Sequence, residues 1–154
     1  MNVLHENGVD VHLVVFGQSE PEHPIPFAYP VTYLGKFQDE ISMISIYNSA
    51  DVMLVPSRQD NLPQTAVEAQ ACGVPVVAFD VGGLADIVIH KVTGYLATPY
   101  DTDDFARGIT MLLKDQKRYA QMVQAARQSA EAKFAESIVS DAYSKLYEEL
   151  LGNN

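Results

Sequence analysis

Five short apolar runs punctuate the chain, at Val11–Phe16, Val31–Leu34, Val52–Val55, Val76–Phe79 and Tyr95–Ala97. Runs of this length without polar alternation, bounded by Gly, Pro or Asp, read as strands covered on both faces. Helical spacing fills the gaps. Ile41, Ile44 and Tyr47 recur at that spacing ahead of the third run, and Phe105, Ile109, Leu112 and Leu113 do so after the fifth. Val139, Tyr143, Leu146 and Leu150 mark a further helix near the end. Strand alternating with helix is the signature of βαβ units, so the pattern predicts a parallel sheet. Met1 to Gly8 reads as the end of a helix feeding the first strand, and the proline-rich stretch Pro21–Pro26 reads as a surface loop between the first two. From Asp101 onward the chain is helical throughout, opened by Asp101 or Thr102 as cap, and this tail is expected to pack on the sheet.

The segment after the third run carries the densest chemistry. Pro56 ends that run, so the loop that follows leaves a strand's carboxyl end, where open α/β sheets bind ligands beside the next helix's N-terminus. Asp60 and Glu68 place carboxylates at the two ends of this helix opening. A carboxylate can accept two hydrogen bonds from vicinal hydroxyls, which suits Glu68 to a ribose diol. The alternative for Glu68 is a solvated first-turn residue favoured by the helix dipole, and for Asp60 a simple helix cap. Gln64 and Thr65 fall in the first turn, where N–H groups face an anion, or are ordinary helix-start residues. Asp80-Val81-Gly82-Gly83 follows the fourth run. Two glycines at a strand end permit tight turning or close backbone approach.

With 154 residues the chain is the size of one domain, and its formal charge of −10 argues against a nucleic-acid partner, since phosphate binding rests on clustered Lys and Arg. The single cysteine, Cys72, excludes an internal disulfide, fits a reducing cytoplasm and reads as a small core residue. No apolar run approaches the ~20 residues that span a bilayer, and Met1-Asn2-Val3-Leu4-His5-Glu6 shows no basic region followed by an apolar one. A soluble, cytoplasmic protein is the expectation. The four histidines, His5, His12, His23 and His90, lack metal-site spacing, and Asp101-Thr102-Asp103-Asp104 reads as helix capping, so no metal is expected. Ser57 has no nucleophile elbow around it.

Pro56-Ser57, an acidic residue separated by seven others from Glu68-Ala69, Cys72-Gly73-Val74-Pro75-Val76-Val77 and Asp80-Val81-Gly82-Gly83 together resemble the second domain of retaining glycosyltransferases of the two-Rossmann-domain (GT-B) type, group 1. The resemblance runs from about Gly8 to Tyr147. Here the acidic element begins with Asp60 instead of the usual Glu, and Asn61-Leu62-Pro63 replaces the common Gly-Phe-Gly. The family implies a Rossmann-like parallel sheet flanked by helices, with a helical tail crossing back to the other domain. Residues 1–154 would then be a partial donor-binding domain that lacks its first strand. In the family that strand's loop carries a Gly-Arg pair and a following Lys that clamp the donor diphosphate, and a separate N-terminal domain holds the acceptor. By resemblance Glu68 grips the nucleotide ribose, and Asp60 with the backbone of Asn61 and Leu62 holds the donor sugar. Gln64 and Thr65 face phosphate, and Gly35 and Lys36 contact the base. Arg58 is a weaker candidate to replace the missing cations. The implied substrate is a nucleotide sugar, UDP-linked first and GDP-linked next, with no cofactor. The parent's reaction is hexosyl transfer to a glycan or lipid in polysaccharide biosynthesis, and its association with the inner membrane face stays open. The piece by itself is expected to be inactive. The competing classes are a non-catalytic α/β binding or signalling module and a sugar-nucleotide epimerase domain. A signalling receiver lacks any role for the Asp60–Glu68 loop.

Overall fold

The computed structural model of the chain describes residues 2–6 and 8–152. Its elements run α1 (Asn2–Glu6), β1 (Leu13–Phe16), β2 (Val31–Gly35), α2 (Glu40–Asn48), β3 (Met53–Val55), α3 (Gln64–Ala71), β4 (Val76–Phe79), α4 (Leu84–Ile87), β5 (Gly94–Ala97), α5 (Thr102–Lys114), α6 (Gln116–Phe134) and α7 (Glu136–Gly152). Every apolar run forms a strand, shifted at most two residues at an end. All pairings are parallel.

The strands form two sheets, β1–β2 and β3–β4–β5, where the sequence suggested one. Apolar runs identify strands, but the pairing of their edges is decided by backbone hydrogen bonds that no side-chain pattern reports. Among the described residues no strand joins β1 to β3.

Strand β4 is the centre of the larger sheet, with Val55 in register with Ala78 and Ala78 with Leu96. Alternation along β4 splits its side chains between two cores. Val77 and Phe79 join Leu4, Val9, Ala97, Phe105, Ile109 and Leu112 on the side of α1 and α5. Val76 and Ala78 join Tyr47, Val55, Ala66, Ala69, Leu84 and Ile87 on the side of α3 and α4. Burying a side chain of this kind stabilises by roughly 1.5–3 kcal/mol, so the sandwich of α5, sheet and α3 is the stable part of the molecule.

Helix α5 starts where Asp101 accepts hydrogen bonds from the backbone N–H groups of Asp103 (3.0 Å) and Asp104 (2.9 Å). This satisfies two of the donors a helix N-terminus leaves open, and the Asp-x-Asp spelling is a cap. One turn on, the Asp104 carboxylate accepts from Tyr95 Oη (2.7 Å), the Thr98 backbone N–H (2.7 Å) and Thr98 Oγ1 (2.9 Å). These bonds, the Thr98 amide foremost, hold its pKa down at about 2. They tie α5 to β5.

Two helical faces correct the sequence reading. On α2 only Tyr47 of the expected face is buried, while Ile41 is 79% and Ile44 46% exposed. Apolar and polar residues are spread around this helix with no single apolar face, and Met43 packs on the core in place of the two isoleucines. The tail also departs from expectation beyond α5. Helix α6 lies across α3, and α7 touches α6 without burying any residue, so the terminal helix does not pack on the sheet. The sheet's faces are already covered by α5 on one side and α3 with α4 on the other. Val139, Tyr143, Leu146 and Leu150 therefore remain exposed.

Candidate functional site

After β3, Pro56 turns the chain into a loop that reaches α3 at Pro63. Pro63 is itself the N-cap, with no side chain bonded to the helix end, so Asp60 does not cap α3. The N–H groups of Ala66 and Val67 bond back to the Pro63 carbonyl at 3.0 and 3.4 Å. The preceding amides, those of Gln64 and Thr65, have no acceptor among the described residues and lie at the positive end of the helix dipole. Gln64 is exposed and Thr65 half-buried. The start of α3 is thus a donor pair without an acceptor.

The loop's shape is imposed from the next strand. Gly83 N–H donates to the Asp60 carbonyl at 3.1 Å. A Cβ on Gly82 would fall onto that carbonyl oxygen, and one on Gly83 onto the carbonyl oxygen of Asn61. Gly82 also holds φ +53°, a left-handed conformation that glycine adopts without strain. The close approach these glycines permit is therefore to the chain's own Asp60–Asn61 backbone. From the other side Tyr100, at φ +65° after β5, donates its hydroxyl to the Arg58 carbonyl (3.1 Å). Its ring lies 5.1 Å from the Arg58 guanidinium carbon, a cation–π contact. The loop is clamped at Arg58 and at Asp60. The Asp60 side chain is half-buried and its carboxylate makes no hydrogen bond among the described residues, while Asn61 and Leu62 are exposed beside it.

Glu68 follows one turn into α3, exposed, with buried Ala66 and Ala69 anchoring its helix to the sheet. Tyr47 of α2, 2% exposed, donates its phenol to Glu68 Oε2 at 2.7 Å. Burial, then the hydrogen bond to Glu68, raises the phenol's pKa well above its ordinary value, so it is a fixed neutral donor. Phe16 meets the Tyr47 ring edge-on with centroids 5.7 Å apart. Phe16 is the β1 residue in register with Gly35. The carboxyl ends of β1 and β2 thereby connect to Glu68 through one ring contact and one hydrogen bond.

Gly35 ends β2 at φ +77°, its carbonyl accepting from Gly17 N–H (2.8 Å), and Lys36 beyond it is exposed. Among the described residues no hydrogen bond, ion pair or ring contact ties Gly35 or Lys36 to the Asp60 loop. Cys72, half-buried at the far end of α3, packs on the core, and burial pushes its thiol pKa up. Tyr47 and Tyr100 carry no local sequence signal; their partners lie 21 and 42 residues away. The pairing of Gly82-Gly83 with Asp60 is equally silent in the sequence, although the glycines themselves stood out. Among the described residues no cluster of His, Cys, Asp and Glu is arranged to hold a metal ion, and no helix is long and apolar enough to cross a membrane.

The fold and this loop define a Rossmann-like domain in which two carboxylates flank an uncapped helix start. The family model for glycosyl transferases group 1 matches residues 1–129, and the chain belongs to that family. It is 36% identical over 109 residues to the D-inositol 3-phosphate glycosyltransferase of Saccharomonospora viridis, covering 71% of this chain and 25% of that protein. It is 33% identical over 121 residues to the N-acetyl-alpha-D-glucosaminyl L-malate synthase of Bacillus anthracis, covering 79% of this chain and 31% of that one. The chain therefore spans about a quarter to a third of the length of these curated relatives. Among solved structures it resembles the sucrose-phosphate synthase of Thermosynechococcus elongatus, with TM-score 0.79, 28% identity, and coverage of 92% of this chain and 39% of that one. Anabaena HepE in complex with UDP gives TM-score 0.68 at 28% identity, covering 77% of this chain and 32% of that one. These neighbours are GT-B enzymes, and the α/β fold with its helical tail is theirs.

Proposed function

We propose that this chain forms the donor-binding part of a retaining glycosyltransferase that moves a hexose from a UDP-sugar to a glycan or lipid acceptor in polysaccharide biosynthesis in the cytoplasm. The observation that carries the reading is the opening of α3. The amides of Gln64 and Thr65, unpaired among the described residues, lie between the Asp60 carboxylate, likewise without a hydrogen bond among them, and a Glu68 carboxylate held by Tyr47. The amides and the helix dipole suit a diphosphate, Glu68 suits the ribose diol, and Asp60 with the Asn61 and Leu62 backbone suits the sugar hydroxyls. Gly35 and Lys36 are the base contacts of this reading. Support for uridine comes from HepE, whose solved complexes contain UDP and UDP-glucose.

In the retaining reaction the bond from the sugar's anomeric carbon to the diphosphate breaks while the acceptor oxygen bonds to the same face. Negative charge then grows on the leaving diphosphate and must be met by cations or dipoles. Of the loops after the five strands, only those after β2 and β3 carry a Lys or Arg, Lys36 and Arg58, and Arg58 stacks on Tyr100. The chain alone therefore binds donor without transferring the sugar, and turnover belongs to a longer protein that also holds the acceptor.

Calorimetric titration with UDP, UDP-glucose and GDP-mannose tests this. Binding of the uridine ligands, markedly weakened in Glu68→Ala, is expected. Equal binding by the variant would remove Glu68 from the site.

A further inference from the structure

Tyr47 is buried at the end of α2, and its hydroxyl reaches one acceptor, Glu68 Oε2, at 2.7 Å. The rest of the ring is fixed independently of that bond, by the edge-on contact with Phe16 and by the core around Val55, Ala66 and Ala69. Glu68 is the opposite case: exposed, on a three-torsion side chain, and with no second hydrogen bond among the described residues. An exposed glutamate of this kind samples many rotamers, and fixing it at the moment of binding costs up to roughly 1.5–2 kcal/mol of side-chain entropy. A rigid phenol holding one oxygen removes much of that cost beforehand and leaves Oε1, and the second lone pair of Oε2, for incoming donors.

We propose that Tyr47 is a positioning residue that sets the Glu68 carboxylate to receive the vicinal ribose hydroxyls of the nucleotide. The inference rests on the reading of Glu68 as the ribose carboxylate. A purely structural Tyr47 would matter through its ring; a positioning one matters through its hydroxyl, and only for ligands that own the two ribose hydroxyls. Phenylalanine separates these, because it keeps the ring in the Phe16 and Val55 packing and deletes the donor.

The test is a set of calorimetric titrations of the full chain, Tyr47→Phe, Glu68→Ala and the double variant, each with UDP and with 2′,3′-dideoxy-UDP, alongside their melting temperatures. Tyr47→Phe is expected to weaken UDP binding about tenfold, the weight of one charge-assisted hydrogen bond, while leaving the dideoxy ligand nearly unchanged. On the Glu68→Ala background the same change should add nothing, which supplies a second readout that a folding defect would not mimic. Equal loss for both ligands, or a further loss added to Glu68→Ala, would make Tyr47 structural and overturn the proposal. So would an unchanged preference for UDP in Tyr47→Phe while Glu68→Ala loses it, which leaves the ribose reading standing. If Glu68→Ala keeps the full preference for UDP, or the unaltered chain binds no UDP, the ribose reading falls and this inference with it.

Discussion

The two ends of the chain's helical tail were built from the same sequence grammar and behave differently. Helix α5 has Phe105, Ile109 and Leu112 at helical spacing and buries all three against β4 and β5. Helix α7 has Val139, Tyr143, Leu146 and Leu150 at the same kind of spacing and buries none. The difference lies outside the stripe. α5 begins at a strand end, its Asp104 is bonded to Thr98 and Tyr95, and Gly108 lets it lie so close to β5 that an added Cβ would strike the Tyr95 ring. α7 has its main contact, among the described residues, with α6. Amphipathic spacing states that a helix can dock, and polar anchors plus a vacant sheet face state where.

Substitutions should expose this contrast directly. Phe105→Ala, which removes a ring packed 4.9 Å from Phe79, is expected to cost about 4 kcal/mol in denaturant unfolding, whereas Leu150→Ala should stay within about 0.5 kcal/mol. Equal costs would mean that α7 is docked in solution. Gly94→Ala places a Cβ on the Val76 backbone and is expected to destabilise by about 3 kcal/mol, seen as a lower melting temperature, because β4 and β5 must separate.

The Asp104 anchor gives the comparison a pH axis. Its carboxyl pKa is lowered in the fold from 3.8 to about 2, so its stabilisation is fully present above the unfolded value and is lost as pH falls through that window. Melting temperature should decline across this range, and Asp104→Asn should be less stable at neutral pH and lose that decline. A variant with the same acid slope would show that other carboxylates set it. A smaller loss than that of the core variants is expected at Tyr100→Phe, which loses the 3.1 Å bond to the Arg58 carbonyl at an exposed position. About 1 kcal/mol or less should be lost, with donor affinity lowered more visibly than stability.

What could be read from the chain follows the same division. Local chemistry announced itself: the five strands, the Asp101 cap, and the Pro56–Gly83 stretch that carries the family resemblance all depend on residues adjacent in sequence. Relations between distant segments did not. The split into two sheets depends on edge pairing, and the exposure of Ile41 and Ile44 on what fits beneath α2. Asp60 was expected either to cap α3 or to contact a ligand, and Pro63 proved to occupy the cap position. The glycines after β4 were expected to make a turn or approach a ligand; they sit in the turn closed by Leu84 N–H on the Val81 carbonyl, and their close approach is to Asp60 and Asn61. Tyr47 was seen only as one point of a helical stripe, because nothing in a one-dimensional pattern shows that its hydroxyl ends at Glu68.

The most direct measurement is a crystal structure of the chain with UDP. The account predicts the ribose hydroxyls within about 3 Å of the Glu68 carboxylate, with Tyr47 still on Oε2 and the diphosphate over the amides of Gln64 and Thr65. A UDP bound elsewhere, or one whose ribose faces away from Glu68, would contradict it.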